Sequence, residues 1–116
     1  MKIEKKIKMI DFVDIFKNDK ANWMFTTQMV ANLCGVTYST VIRWCRSEKL
    51  NATKDNMSCN MLQIWSQDFC DFLKHNPKYA AQVNNNLSRF FVENGVSEEM
   101  ATPQEVYCLC TRNAYE

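Results

Sequence analysis

The sequence TTQMVANLCGVTYSTVIRWCR, residues 26–46, predicts two short helices joined by a turn. Thr26 or Thr27 can cap the first helix, because a threonine hydroxyl accepts hydrogen bonds from the free amides of a helix start. Apolar side chains then recur every three or four residues and give this helix one buried stripe, formed by Val30, Leu33 and Cys34. Gly35 supplies the left-handed backbone that ends the helix, and Val36 anchors the turn.

The second helix of this pair is placed at Tyr38 to Ser47, with Thr37 as its N-cap. Helical spacing divides its side chains into two sets. The inner stripe consists of Val41, Trp44 and Cys45. The outer face is left with Tyr38, Ser39, Ile42, Arg43 and Arg46.

Further elements are predicted on both sides of this helix pair. The turn signal Asp55-Asn56 separates two short segments, 52–54 and 59–64, and indicates a small β-hairpin. Ser66 is expected to cap a helix that runs through His75, and Asn76 to cap one that starts at Pro77. The remaining apolar patterns predict a short helix containing Met9, Phe12, Val13 and Phe16, and a last helix that opens at the capping box Thr102-Pro103-Gln104-Glu105.

The predicted fold class is therefore mainly α, with a small hairpin and additional N- and C-terminal helices. We divide the chain into an N-terminal helix or arm at 1–22, a central unit at 23–76 and a C-terminal helical extension at 77–116. The 116 residues include only two glycines and two prolines, which disfavours tight-turn β architectures.

Charge is unevenly distributed along the chain. The formal net charge is only +1, but residues 37–54 contain four basic side chains and a single acidic one, Glu48. Residues 77–116 instead carry five acidic and three basic side chains. Because phosphate contacts need local positive charge, the basic patch is expected to face a nucleic acid and the C-terminal third is not.

Two helices, a glycine-containing turn and a following hairpin are the arrangement in which the second helix enters the major groove of DNA. Residues 26–46, and 40–46 above all, resemble the winged helix-turn-helix domain of excisionases and MerR-type regulators, and the resemblance covers about 23–76. It implies that Arg43 and Arg46 face DNA, that Trp44 packs inward and that the hairpin is the wing. Excisionases carry an acidic residue where this chain has Ser39, which implies a different target sequence.

The expected function is sequence-specific binding of double-stranded DNA by a transcriptional regulator. The expected contacts come from the second helix and the wing: Thr37, Tyr38, Ser39, Thr40, Ile42, Arg43, Arg46, Lys49 and Lys54. Four of them have an alternative role, since the two arginines and Lys54 can be ordinary exposed charges and Tyr38 can pack against the wing. Two other functions stay open: an excisionase-like accessory factor in recombination, and a protein-interaction module.

The interaction module would bind a second copy of the chain or another protein through the C-terminal helices, using Phe90, Phe91, Tyr107 and Leu109. These four side chains can equally pack on the rest of the fold.

No enzyme, cofactor or metal site is predicted. The chain has no glycine-rich phosphate loop and no nucleophile motif, and nothing in it points to a small-molecule substrate. The six cysteines are scattered, and Cys108 and Cys110 would point to different sides of a helix rather than chelate one ion. We expect a cytoplasmic protein with reduced thiols and no membrane partner, because no signal-peptide or membrane-length apolar run is present.

Overall fold

The computed structural model describes residues 10–17, 19–55, 61–97 and 101–115. The helices and strands in these residues are α1 Phe12–Lys17, β1 Met24–Phe25, α2 Thr27–Cys34, α3 Tyr38–Arg46, β2 Thr53–Asp55, β3 Met61–Trp65, α4 Ser66–Lys74, α5 Pro77–Glu93 and α6 Pro103–Tyr115. The strands form a small antiparallel sheet in the order β1–β3–β2. The expected mainly α class with a small hairpin is thus confirmed.

The predicted boundaries differ from the observed ones mainly at the hairpin. Its strands lie at Thr53–Asp55 and Met61–Trp65 instead of 52–54 and 59–64. Cys59, which was placed on the second strand, lies outside the described residues, as does Met9 of the first helix. The last helix begins as expected, because the Thr102 hydroxyl accepts a hydrogen bond from the Glu105 amide, and it runs to Tyr115.

One hydrophobic core joins all three segments into which the sequence was divided. Phe12 of α1 lies 5.1 Å from the ring of Phe69 on α4 and 5.6 Å from Phe25 on β1, measured between ring centroids. Val83 and Leu87 of α5 are fully buried in the same core. Among the described residues, no helix is both long and apolar enough to cross a lipid bilayer.

The turn between α2 and α3 is fixed by the local signals that predicted it. Thr26 caps α2, since its hydroxyl accepts a hydrogen bond from the Met29 amide. Gly35 ends the helix with a φ of 70°, a left-handed conformation that costs a residue with a side chain about 1–2 kcal/mol. A Cβ atom at this position would also lie 3.3 Å from the side-chain nitrogen of Gln82. Both the backbone conformation and the close approach of Gln82 therefore favour glycine.

Helix α3 is anchored at both ends and along one side. The Thr37 hydroxyl accepts a hydrogen bond from the Thr40 amide at its start. Val41 and Trp44 are buried, and the Trp44 ring lies 4.8 Å from Phe72 of α4. At its end, the amide of Glu48 donates to Cys45 and that of Lys49 donates to Trp44, the two hydrogen bonds of a Schellman motif.

Two expected caps are replaced by other contacts. Ser66 was expected to cap α4, but it is the first residue of the helix and is fully buried. Its hydroxyl accepts from the Trp23 amide and donates to the Asn22 side chain, whose oxygen also accepts from the Gln67 amide at 3.2 Å. The cap of α4 therefore comes from Asn22, far away in sequence. Asn76 similarly uses its side chain to donate to the Phe72 carbonyl and makes no side-chain cap for α5.

Glu48 is the residue whose replacement should stabilise the fold. It occupies the C′ position after α3 with a φ of 63°, where glycine is normally found. We expect Glu48→Gly to raise the free energy of unfolding by about 0.5–1 kcal/mol. Glycine relieves the strain of the left-handed backbone, but part of this gain is lost because glycine gives the unfolded chain more conformational entropy. Urea denaturation measures this.

Glu48→Ala is the matched control, because it removes the carboxylate and keeps the Cβ atom that causes the strain. An equal gain in both variants would attribute the effect to charge and contradict the backbone explanation.

Candidate nucleic-acid interface

The outer face of α3 consists of two neighbouring rows of side chains. Tyr38, Ile42 and Arg46 form one row at four-residue spacing, and Ser39 and Arg43 form the other. At about 100° per residue, the five side chains cover an arc of roughly 140°. Four of them are exposed and Ile42 is half-buried, whereas Val41 and Trp44 on the opposite side are buried. The expected inner face is therefore confirmed for Val41 and Trp44, whereas Cys45, expected beside them, is half-buried.

The two guanidinium groups on this face are not neutralised by carboxylates. The ion pairs within the described residues are Lys17–Asp14, Lys74–Asp71 and Arg89–Glu93, none of which involves α3. Arg43 donates one weak hydrogen bond, 3.4 Å from its Nη2 to the Thr40 hydroxyl. Both arginines thus keep donors available for an anionic or carbonyl ligand.

The structure brings Thr37, Thr40 and Lys49 to the two ends of the same helix. Thr37 is exposed, but its hydroxyl is already engaged with the Thr40 hydroxyl at 2.9 Å, so its first role is to cap α3. Thr40 is half-buried. Lys49 is exposed in the connection between α3 and β2. Lys54 lies on β2, but its side chain lies outside the part of the chain that the structure describes.

Tyr38 is the largest apolar surface on this face. Its side chain is 53% exposed, and no ring contact to another described aromatic residue involves it. This exposure favours an open position at the start of α3 over packing against the hairpin.

The dimensions of the face suit a short segment of duplex. Ser39 and Arg46 are seven residues apart, which corresponds to about 10.5 Å along a helix axis. Base pairs are spaced about 3.4 Å apart, so a helix lying along a groove would pass about three steps between these two side chains. The face therefore has the size and the donors to contact three or four base pairs.

The tryptophans do not form a platform for stacking bases. Trp44 is buried, and its ring lies 4.9 Å from Tyr79. Trp23 is half-buried, lies 4.9 Å from Tyr107 and donates from its ring nitrogen to Asp19 at 2.6 Å. Trp65 is half-buried on β3. Their surroundings are those of packing residues.

The described cysteines are positioned as packing residues, with one exception. Cys34, Cys70 and Cys110 are buried, and burial raises the pKa of the Cys34 thiol to about 12 and that of Cys70 to about 11. Cys108 is exposed on the opposite side of α6 from Cys110, as the helical spacing predicts. Within the described residues, no group of three or more metal-binding side chains comes together.

Sequence reasoning missed the buried Asn86 on α5. Its side-chain nitrogen donates to the Leu33 carbonyl at 2.7 Å and lies 3.4 Å from the Asn32 carbonyl, both in the last turn of α2. In the sequence, residues 84–86 are three asparagines and stand out only as a polar tract. The signal was present, because position 86 falls in the same apolar stripe as Val83 and Phe90 at helical spacing.

Comparison with protein-family models, with curated proteins and with solved structures gives no match to this chain. The resemblance to excisionases and MerR-type regulators therefore stays a prediction that depends on residues 23–76 alone.

The thiols provide a direct test of the packing around this site. In the native protein at pH 8, iodoacetamide should modify Cys108, while the buried Cys34, Cys70 and Cys110 stay protected until the chain is unfolded in urea. Mass mapping of the modified peptides measures each site separately. Modification of Cys34 at the rate of Cys108 in the folded protein would contradict the packing of α2.

Burial of the thiols also predicts how stability depends on pH. Because the pKa of Cys34 is raised from its ordinary 9.0 to about 12, folding favours the protonated thiol. This contribution is complete below pH 9 and is lost as the pH rises toward 12. Cys34→Ala should therefore show a shallower loss of stability than the natural chain when urea midpoints are compared across that range.

Proposed function

We propose that the chain binds double-stranded DNA sequence-specifically and acts as a transcriptional regulator. In this proposal α2, the turn 35–37 and α3 form a helix-turn-helix, the β2–β3 hairpin is its wing, and α3 enters the major groove. The observation that carries the proposal is the exposed pair Arg43 and Arg46, which form no ion pair within the described residues and lie on a helix whose other side is buried in the core.

The chemistry of this face fits direct readout of base edges. The major groove is wide enough for one helix, and arginine binds the O6 and N7 atoms of guanine through two parallel hydrogen bonds. Ser39 adds a short hydroxyl, and the half-buried Ile42 offers an apolar contact of the kind that a thymine methyl accepts. Lys49 and Lys54 follow α3 in the chain, where basic side chains serve to contact the phosphates of the same site.

The protein-interaction alternative loses its original support. Phe90, Phe91 and Leu109 are buried in the core. Tyr107 is half-buried, and its hydroxyl donates to the Met24 carbonyl at 2.6 Å. The large apolar residues exposed in the described part of the chain are Tyr38 and Val92, too few to form a contiguous patch. An excisionase-like accessory role would use the same α3 surface and differs from the proposal only in its biological outcome.

Selection from a random duplex library is the experiment that tests the proposal. The purified chain should enrich a short motif, and fluorescence anisotropy should then show tighter binding to that duplex than to a scrambled duplex or to single-stranded DNA. Affinity should fall steeply with added salt, because phosphate binding releases counterions. Enrichment of no motif, together with equal affinity for all three probes, would overturn the proposal.

Arg43 and Arg46 should carry the specificity. We expect Arg43→Ala or Arg46→Ala to weaken binding to the selected duplex by about 1–3 kcal/mol, the discrimination that a bidentate arginine–guanine contact provides. Binding to the scrambled duplex should fall much less. Anisotropy titrations with both duplexes measure the difference.

Arg89→Ala is the matched control for these variants. Arg89 is also exposed, but it lies on α5 and pairs with Glu93. It should leave both affinities unchanged. Equal losses on the two duplexes for the α3 variants would indicate that these arginines contact only phosphates.

A further inference from the structure

The C-terminal helices hold α2 at both of its ends. Before its start, the Tyr107 hydroxyl of α6 donates to the Met24 carbonyl at 2.6 Å. At its end, the buried Asn86 of α5 donates to the Leu33 carbonyl at 2.7 Å. In the same turn, the Asn32 side chain donates to the Asn113 carbonyl of α6 at 3.2 Å. The last carbonyls of a helix lack partners within it, so these contacts determine where the end of α2 lies.

The position of this end is transmitted to α3 by a short connection. Only Gly35, Val36 and Thr37 separate the two helices, and Gly35 lies against Gln82 of α5. Helix α5 also contacts α3 directly, through the Tyr79 ring 4.9 Å from Trp44. Any shift at the Leu33 carbonyl therefore moves the start of α3 relative to the rest of the fold.

We infer that Asn86 is a positioning residue for DNA recognition: by holding the last turn of α2, it sets the angle at which α3 presents its outer face. The inference rests on the proposed function. Asn86 is only 5% exposed and its side chain is bound to the last turn of α2, so it acts through α2 and α3 and contacts no DNA. The segment 77–116 is then part of the DNA-reading unit, in spite of its acidic composition.

Readout of base edges tolerates little misalignment of the recognition helix. Contacts of this kind must be held within about 0.5 Å of their productive geometry. Removal of the Asn86 amide leaves the Leu33 carbonyl, in the buried last turn of α2, without its side-chain donor. The turn must then move or admit water to satisfy that carbonyl, and either change displaces α3.

Asn84 offers a control, because it is also an asparagine of α5 whose side chain makes a hydrogen bond to a distant backbone group. Its side-chain oxygen accepts a hydrogen bond from the Phe12 amide at 2.9 Å and so fixes the start of α1, not α2. A purely stabilising role predicts that Asn84→Ala and Asn86→Ala behave alike once both are folded. A positioning role predicts that they differ.

The test compares the two variants at a temperature at which circular dichroism shows both fully folded. In the absence of DNA, Asn86→Ala should shift the backbone amide signals of residues 37–46 in a nitrogen–proton NMR spectrum, and Asn84→Ala should shift only those near α1. On the selected duplex, Asn86→Ala should weaken binding about tenfold with little change on the scrambled duplex, since a misaligned helix loses base contacts first. Asn84→Ala should bind both duplexes like the natural chain.

Two results would overturn the inference: unchanged α3 amide signals in Asn86→Ala, or equal losses of affinity in the two variants. Should Asn86→Ala fail to fold, Asn86→Ser takes its place with the same expected pattern, because it keeps one donor on a shorter side chain. If the natural chain selects no duplex, the proposed function fails, and the amide signals still decide whether Asn86 positions α3.

Discussion

Trp44 lies with its ring 4.8 Å from Phe72 and 4.9 Å from Tyr79, and it joins α3 to both α4 and α5. A helix of nine residues is too short to be stable alone in water, so α3 owes its existence to this burial. Because Trp44 and Val41 point inward, the helix period places Ser39, Arg43 and Arg46 on the solvent-exposed side. The candidate interface is thus a consequence of core packing.

The parts of the fold that follow from neighbouring residues could be predicted from the sequence. Thr37 caps α3 within one turn, and Gly35 ends α2 through its own backbone, so each signal lies within a few residues of its effect. Contacts between distant segments had no such signal. Asn22 caps α4 from 45 residues away, and Asn86 binds an α2 carbonyl 53 residues away. An asparagine pattern alone does not reveal which partner the fold brings to it.

The site was predicted from the distribution of charge, and the structure explains why that distribution matters more than the total of +1. Three described acidic residues elsewhere pair with a basic side chain three or four positions away: Asp14 with Lys17, Asp71 with Lys74 and Glu93 with Arg89. These local pairs neutralise charge on α1, α4 and α5, whereas the arginines of α3 have no such neighbour. Glu48, the acidic residue closest to them in sequence, occupies a strained turn position that no sequence signal indicated.

The sequence suggested a DNA-binding unit at 23–76 with appended helices, but in the structure these segments share one hydrophobic core. Leu33 of α2 and Val83 of α5 are fully buried in one core, so exposing either side would cost about 1.5–3 kcal/mol for each large apolar residue. Helix α2 has only eight residues, and at its last turn it accepts a hydrogen bond from α5 and donates one to α6. Two helices this short cannot hold a fixed mutual angle by themselves. The orientation on which any base-reading role depends is therefore supplied from outside the motif that the sequence predicts.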